Sequence, residues 1–171
     1  WLLIACFGII NSGYGIVVAW LAPAYLALGW SPQQGGELVA WLALAQTASG
    51  LGLPLLAARK EDRRPWMGLA IVMQVAGFGG LWLAPEVAPI LWCLLCGAGL
   101  GGSFSLIMVI ALDHLPDPRR AGSLSALMQG FGFILAATGP WVAARLRHLS
   151  GDFASAWQWQ LGEVALMSLL V

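Results

Sequence analysis

The chain holds 171 residues, 60% of them hydrophobic and 9% charged, with eight Lys and Arg against eight Asp and Glu. Soluble domains carry about 25% charged residues, so this chain lacks the side chains to clothe a water-facing surface. Composition excludes a soluble globular protein and identifies an integral membrane protein; no nucleic-acid partner is expected, and with a net charge of +0 the information lies in where the charges sit.

Segment one spans about Trp1–Leu28, with Asn11, Ser12 and Tyr14 inside it and Pro23 near its end. It outruns the apolar core of a signal peptide and shows no cleavage site, so it reads as a membrane span. Gly29 to Pro32 is an uncharged turn. Segment two, about Gly36–Ala58, carries Gln46, Thr47 and Ser49, and the densest charge cluster follows it, Arg59-Lys60-Glu61-Asp62-Arg63-Arg64. Segment three covers about Trp66–Leu83 with Gln74 inside; a turn without a basic residue, Ala84 to Pro89, leads to segment four, about Ile90–Leu112. Gly97, Gly101 and Ser105 recur there at every fourth position, a small-residue stripe that lets helices approach closely in lipid.

Asp113 to Arg120 is the next polar loop. Segment five runs from Arg119 to near Ala144, and its core to Trp141 is an uncharged stretch long enough to cross roughly 30 Å of hydrocarbon. Gln129, flanked by glycines, is the amide in its middle. Arg145 to Trp157 reads as a polar connection, and segment six begins near Trp159. The chain starts without Met and stops at Val171 inside an apolar run. The expectation is therefore a fragment, with residues 1–171 forming six spans of which the last is cut short.

Orientation follows from counting Lys and Arg. Arg59, Lys60, Arg63 and Arg64 after segment two and Arg119 and Arg120 after segment four face Arg145 and Arg147 on the other side, so six against two puts the first side in the cytoplasm. Trp30, Trp66, Trp82, Trp92 and Trp157 fall near span ends, where indole prefers the interface. Cys93 and Cys96 have CxxC spacing, but no His or acid accompanies them in the span; like Cys6 they read as small buried hydrophobes.

Polar groups inside a membrane must face protein or a water-filled path, which makes them the functional candidates. Asn11, Tyr14, Val18 and Tyr25 fall on one face of segment one by three-, four- and seven-residue steps. Gln46 shares a face with Ser49 and Gly50 on segment two. Phe104 and Ser105 follow the glycine run of segment four, although a hydroxyl there can bond back to its own helix. Gln129, Gly132, Phe133, Ala136 and Pro140 share a face on segment five. The competing reading for Asn11 and Gln46 is a bond to a neighbouring helix, and for Tyr25 an anchor at the interface. Gln74 has no aromatic companion and reads as structural. Glu163, about a turn inside segment six, reads as solvated or capping rather than as a proton carrier. No Lys or Arg lies at the centre of a span, so an anionic solute would take its positive partner from elsewhere.

Six spans with a basic Asp62-Arg63-Arg64 loop after the second resemble the C-terminal half of a major facilitator superfamily transporter. Within that family, Ala19-Trp20-Leu21-Ala22-Pro23-Ala24-Tyr25 resembles the W-L-P-x-x-Y pattern of the cyanate and 2-nitroimidazole transporter group. Cys96 to Phe104 with Ala111-Leu112-Asp113-His114, and Ala121-Gly122 through Met128-Gln129-Gly130-Phe131-Gly132-Phe133 to Gly139-Pro140-Trp141, are similar to the same group, the last stretch most specifically.

The resemblance implies an all-α polytopic membrane bundle, half of a major facilitator fold built from two inverted three-helix repeats. A further six-helix N-terminal half would then be the partner. It implies a secondary transporter of the bacterial inner membrane, moving a small anion or small polar organic solute, cyanate-like or nitroimidazole-like, by alternating access. The first, second, fourth and fifth helices of such a half border the path. This assigns Asn11, Tyr14, Trp20, Tyr25, Gln46, Phe104, Ser105, Gln129 and Phe133 to the solute path, and Asp62, Arg63 and Arg64 to a cytoplasmic gate loop.

No catalytic residue, metal or cofactor is expected. A nucleotide-binding loop ending in Gly-Lys-Ser or Gly-Lys-Thr is absent from the sequence. An intramembrane serine hydrolase needs a histidine beside its nucleophile, and His114 and His148 sit at span ends on opposite sides. A six-span channel or a small dimeric carrier remains the alternative.

Overall fold

The computed structural model describes residues 1–58 and 62–170. Arg59, Lys60 and Glu61 of the basic loop lie outside the described residues, as does Val171. The described residues form seven helices in order: α1 (Leu2–Ala27), α2 (Pro32–Ala57), α3 (Arg64–Leu83), α4 (Pro89–Asp113), α5 (Pro118–Ala136), α6 (Thr138–Ser150) and α7 (Ala154–Leu170). No strand occurs among the described residues. Helices α1 to α4 and the continuous α5–α6 pair, 33 residues from Pro118 to Ser150, are five stretches long and apolar enough to cross a membrane. Helix α7 returns beside α1, α3 and α6. The all-α polytopic bundle expected from composition is the fold, and the protein is an integral, multi-pass membrane protein.

Three boundaries differ from the sequence reading, each for a local reason. Helix α2 begins at Pro32 rather than Gly36, because Ser31 accepts from the Gln34 N–H while the Gln34 side chain accepts from the Ser31 N–H. The fifth span does not stop near Ala144. It continues to Ser150 after a break at Ala137, where Pro140 has no N–H to return to the Ala136 carbonyl. Helix α7 begins at Ala154, not Trp159. The tight turn before it uses Gly151 at φ 80° and the Asp152 side chain, which accepts from the Ser155 N–H at 3.3 Å. Arg145 and Arg147 therefore lie in the last turns of α6 rather than in a loop.

Close packing, not a hydrophobic drive, holds helices together in lipid, and the small-residue stripe of α4 supplies it on two sides. A Cβ at Gly101 would stand 2.8 Å from the Cα of Gln46 on α2, and one at Gly99 would stand 2.7 Å from the Ala70 carbonyl oxygen on α3. Gln74, fully buried on α3, donates through Nε2 to Ser103 Oγ at 2.9 Å, a bond between helices in keeping with its structural reading. Cys6, Cys93 and Cys96 are buried free thiols. The core divides into a cluster around Phe7, Met67, Leu106 and Met128, at the end of the bundle that carries the α2–α3 loop. A far-end cluster gathers around Leu21, Tyr25, Phe78 and Leu100.

Candidate functional site

Asn11 and Tyr14 from α1, Gln46 from α2, Leu100 and Phe104 from α4 and Phe133 from α5 line one cavity of about 300 Å³, with Ile10 beside them. Position along each helix explains the meeting. Asn11 and Gln46 lie near the middles of α1 and α2, and the α4 stripe lets α2 come in until the Gln46 backbone touches Gly101. Tyr14 is 41% exposed and Phe133 50% exposed, so the cavity opens on a face that the described helices do not cover. Asn11 Nδ2 donates to the Phe7 carbonyl at 2.8 Å, which fixes the amide at the cavity edge.

Phe7 is a residue the sequence reading passed over. It is fully buried and stands edge-on to Phe133, with centroids 5.1 Å apart, and tilted against Phe104 at 5.7 Å. A phenylalanine in an apolar span carries no signal of its own. Only the spacing Phe7–Asn11, one helical turn, placed it behind the polar stripe.

The remaining candidates are distributed differently. Gln129 is half-buried one turn before Phe133 on the same face, and its Nε2 donates to Ser125 Oγ at 3.3 Å. Ser105 faces α2, where a Cβ at Gly50 would lie 3.2 Å from its hydroxyl. Trp20 and Tyr25 are not brought to this cavity. Fourteen residues separate Asn11 from Tyr25, about 21 Å along a helix, so sharing a face does not mean sharing a site. The Tyr25 hydroxyl donates to the Pro85 carbonyl at 2.6 Å and its ring meets Trp30 at 4.9 Å. Trp20 lies beside Phe153, and the Arg147 guanidinium sits over both rings, 5.3 Å and 4.2 Å from their centroids. These groups belong to the far end of the bundle.

At the end of the bundle that carries the α2–α3 loop, Arg63 Nη2 lies 2.7 Å from Asp113 Oδ2, joining the start of α3 to the end of α4. Among the described residues Asp62 forms no pair across helices. Its Oδ1 accepts from the Arg64 N–H at 3.0 Å, and the Arg64 side chain is exposed. A cavity of about 520 Å³ lies here, with Leu2, Arg63, Asp113 and His114 in its wall.

Glu163 is misplaced by the sequence reading. Because α7 starts five residues earlier than expected, Glu163 is not near the interface but the tenth of seventeen helix residues, about 14 Å from its start. It accepts a hydrogen bond from Ser12 Oγ at 2.7 Å.

No protein-family model matches the chain. It is 45% identical over 157 residues to the cyanate transport protein CynX of Escherichia coli (strain K12), a match covering 92% of this chain and 41% of that protein. It is 31% identical over 171 residues to the 2-nitroimidazole transporter of the same organism, covering 100% of this chain and 42% of the relative. It is also 25% identical over 155 residues to the uncharacterized transporter YycB of Bacillus subtilis (strain 168), covering 90% and 37%. The chain thus spans about two fifths of the length of the relatives it matches.

Proposed function

We infer, from the premise that this chain belongs to the cyanate and 2-nitroimidazole transporter branch of the major facilitator superfamily, that it forms one six-helix half of a secondary transporter. It works in a bacterial cytoplasmic membrane by alternating access. A second six-helix half of the same protein covers the face on which Tyr14 and Phe133 stand exposed, and the solute passes between the halves. The observation that carries this reading is the convergence of Asn11, Tyr14, Gln46, Phe104 and Phe133, from four different helices, on one membrane-depth cavity.

The lining selects the solute's chemistry. Two amides and a phenol offer donors and acceptors, and two phenyl rings offer flat apolar walls, so the site suits a small planar polar compound or a small anion. Among the described residues neither Lys nor Arg lines the cavity, so an anion takes its counter-charge from the other half. Gln129, a turn from Phe133, extends the path toward the cytoplasm. Arg63 and Asp113 act as a latch that forms and breaks during the cycle, which suits a surface pair worth about 0–1 kcal/mol.

The test is uptake of radiolabelled cyanate and of 2-nitroimidazole by the full-length protein in proteoliposomes. Saturable uptake of one of them, reduced by Asn11→Leu and by Gln46→Leu without loss of folded protein, supports the reading. Uptake unaffected by both substitutions removes this cavity from the path.

A further inference from the structure

On the side of α1 that faces away from the cavity, a second polar group lies within the membrane. Ser12, 1% exposed, donates to Glu163 Oε2 at 2.7 Å. Gln160, three residues before Glu163 and therefore on the same face of α7, is fully buried, and neither its Oε1 nor its Nε2 has a hydrogen-bond partner. Its amide rests on α1 at Gly13, the residue next to Ser12, where any Cβ would collide with it. The backbone of Gly139, at the break between α5 and α6, closes the third side against the Ser12 hydroxyl. Three helices thus bring a carboxyl, a hydroxyl and an unpartnered amide together at mid-depth.

The surroundings supply no counter-charge. Among the described residues Glu163 forms no ion pair. Helix α3 brings one ionisable residue, Arg64 at its start, and α6 brings Arg145, Arg147 and His148, all within its last six residues. Arg147 is engaged with Trp20 and Phe153. Helix α1 contributes no acidic or basic side chain, only Cys6, Tyr14 and Tyr25, and α7 has no ionisable side chain besides Glu163. A lone carboxylate in hydrocarbon is expensive, and neutral donors, the Ser12 hydroxyl and the Trp159 indole N–H, do not neutralise it. The vacant acceptor and donors of Gln160 carry a further, smaller cost while they stay unpaired.

We propose that Glu163, hydrogen-bonded by Ser12 and one turn from the unpartnered Gln160, is the proton-binding site through which this transporter is driven. The inference rests on the transporter reading above. One proton from the water on one side binds a carboxylate oxygen, cancelling the charge and giving the carboxyl a donor. The same proton leaves to the other side later in the cycle, and no bond other than O–H forms or breaks. Helix α1 links this event to the solute, since it presents Asn11 to the cavity and its neighbour Ser12 to Glu163.

The experiment uses the full-length protein in proteoliposomes, with radiolabelled cyanate as probe and an inward proton gradient of one pH unit. One proton per solute supports up to about tenfold accumulation. The wild type is expected to approach that value, and Glu163→Gln to fall to about unity. Ser12→Ala, which keeps the carboxyl and removes its hydroxyl donor, is expected to shift the pH at which uptake is half-maximal. It serves as the deciding variant should Glu163→Gln not fold. Accumulation by Glu163→Gln equal to the wild type overturns the proposal, and so does a wild type that answers a sodium gradient and not a proton gradient. If the wild type moves no cyanate, the transport reading fails on that solute, and infrared spectroscopy still decides the site. A carboxyl C=O band that titrates in the wild type and is missing from Glu163→Gln supports it; no such band overturns it.

Discussion

Phe7 and Phe133 meet edge to face, ring centroids 5.1 Å apart and planes at 86°, so a fully buried side chain of α1 sets the position of a half-exposed one on α5. Because Phe7 also touches Phe104, one ring behind the cavity holds two of its walls. An aromatic pair of this kind contributes about 0.5–1.5 kcal/mol beyond the area it buries. Phe7→Leu, which keeps most of the volume, is expected to raise the KM for uptake about threefold. Folded yield should stay near wild type, as judged by size-exclusion chromatography. An unchanged KM would show that the two walls hold their positions without Phe7.

Gln129→Leu removes the amide one turn before Phe133 and frees Ser125 from its bond at 3.3 Å. Uptake should fall while expression and thermal unfolding of the full-length protein stay near wild type. Uptake unchanged within error would remove Gln129 from the path.

Tyr25 carries the opposite expectation. Its hydroxyl holds the Pro85 carbonyl, so Tyr25→Phe should lower stability by about 1 kcal/mol and leave the KM for uptake unchanged. A changed KM with unchanged stability would return Tyr25 to the solute path.

The α2–α4 contact gives a paired test. At Gly101 a Cβ would stand 2.8 Å from the Gln46 backbone, which has no flexible end to move, whereas at Gly130 it would meet nothing within 4 Å. Gly101→Ala should destabilise the protein by about 1–3 kcal/mol and Gly130→Ala by less than about 0.5 kcal/mol. Thermal unfolding of the two variants in the same detergent checks the difference, and equal midpoints would contradict the packing described.

The Arg63–Asp113 pair predicts a rescue. Arg63→Asp and Asp113→Arg should each slow uptake, and the double exchange should restore much of it, because only the pairing across α3 and α4 is restored. Uptake as low in the double variant as in the singles would leave these residues a topological role alone.

Much of this was legible in the sequence because the membrane imposes a simple rule: apolar length makes a span. The positions of α1, α3 and α4 followed directly, as did a structural rather than functional role for Gln74. The errors came where local chemistry overrode hydropathy. The Ser31–Gln34 box started α2 early, and the Asp152 cap started α7 early. That second shift carried Glu163 from the interface to mid-depth. Asn11, Tyr14, Gln46, Phe104 and Phe133 could be gathered as a polar and aromatic set, but a helical face has no depth coordinate. Trp20 and Tyr25 were therefore placed with them although the fold puts them at the far end.

The central claim is that Asn11 and Tyr14 line a path open alternately to the two sides. The measurement that tests it most directly is thiol labelling of Tyr14→Cys in the full-length protein, with Cys6, Cys93 and Cys96 replaced by Ala. Membrane-impermeant reagent is applied from each side, with and without cyanate or 2-nitroimidazole. The account predicts labelling from both sides and slower labelling when the transported solute is present. Labelling from neither side, or from one side only at a rate the solute does not change, would contradict it.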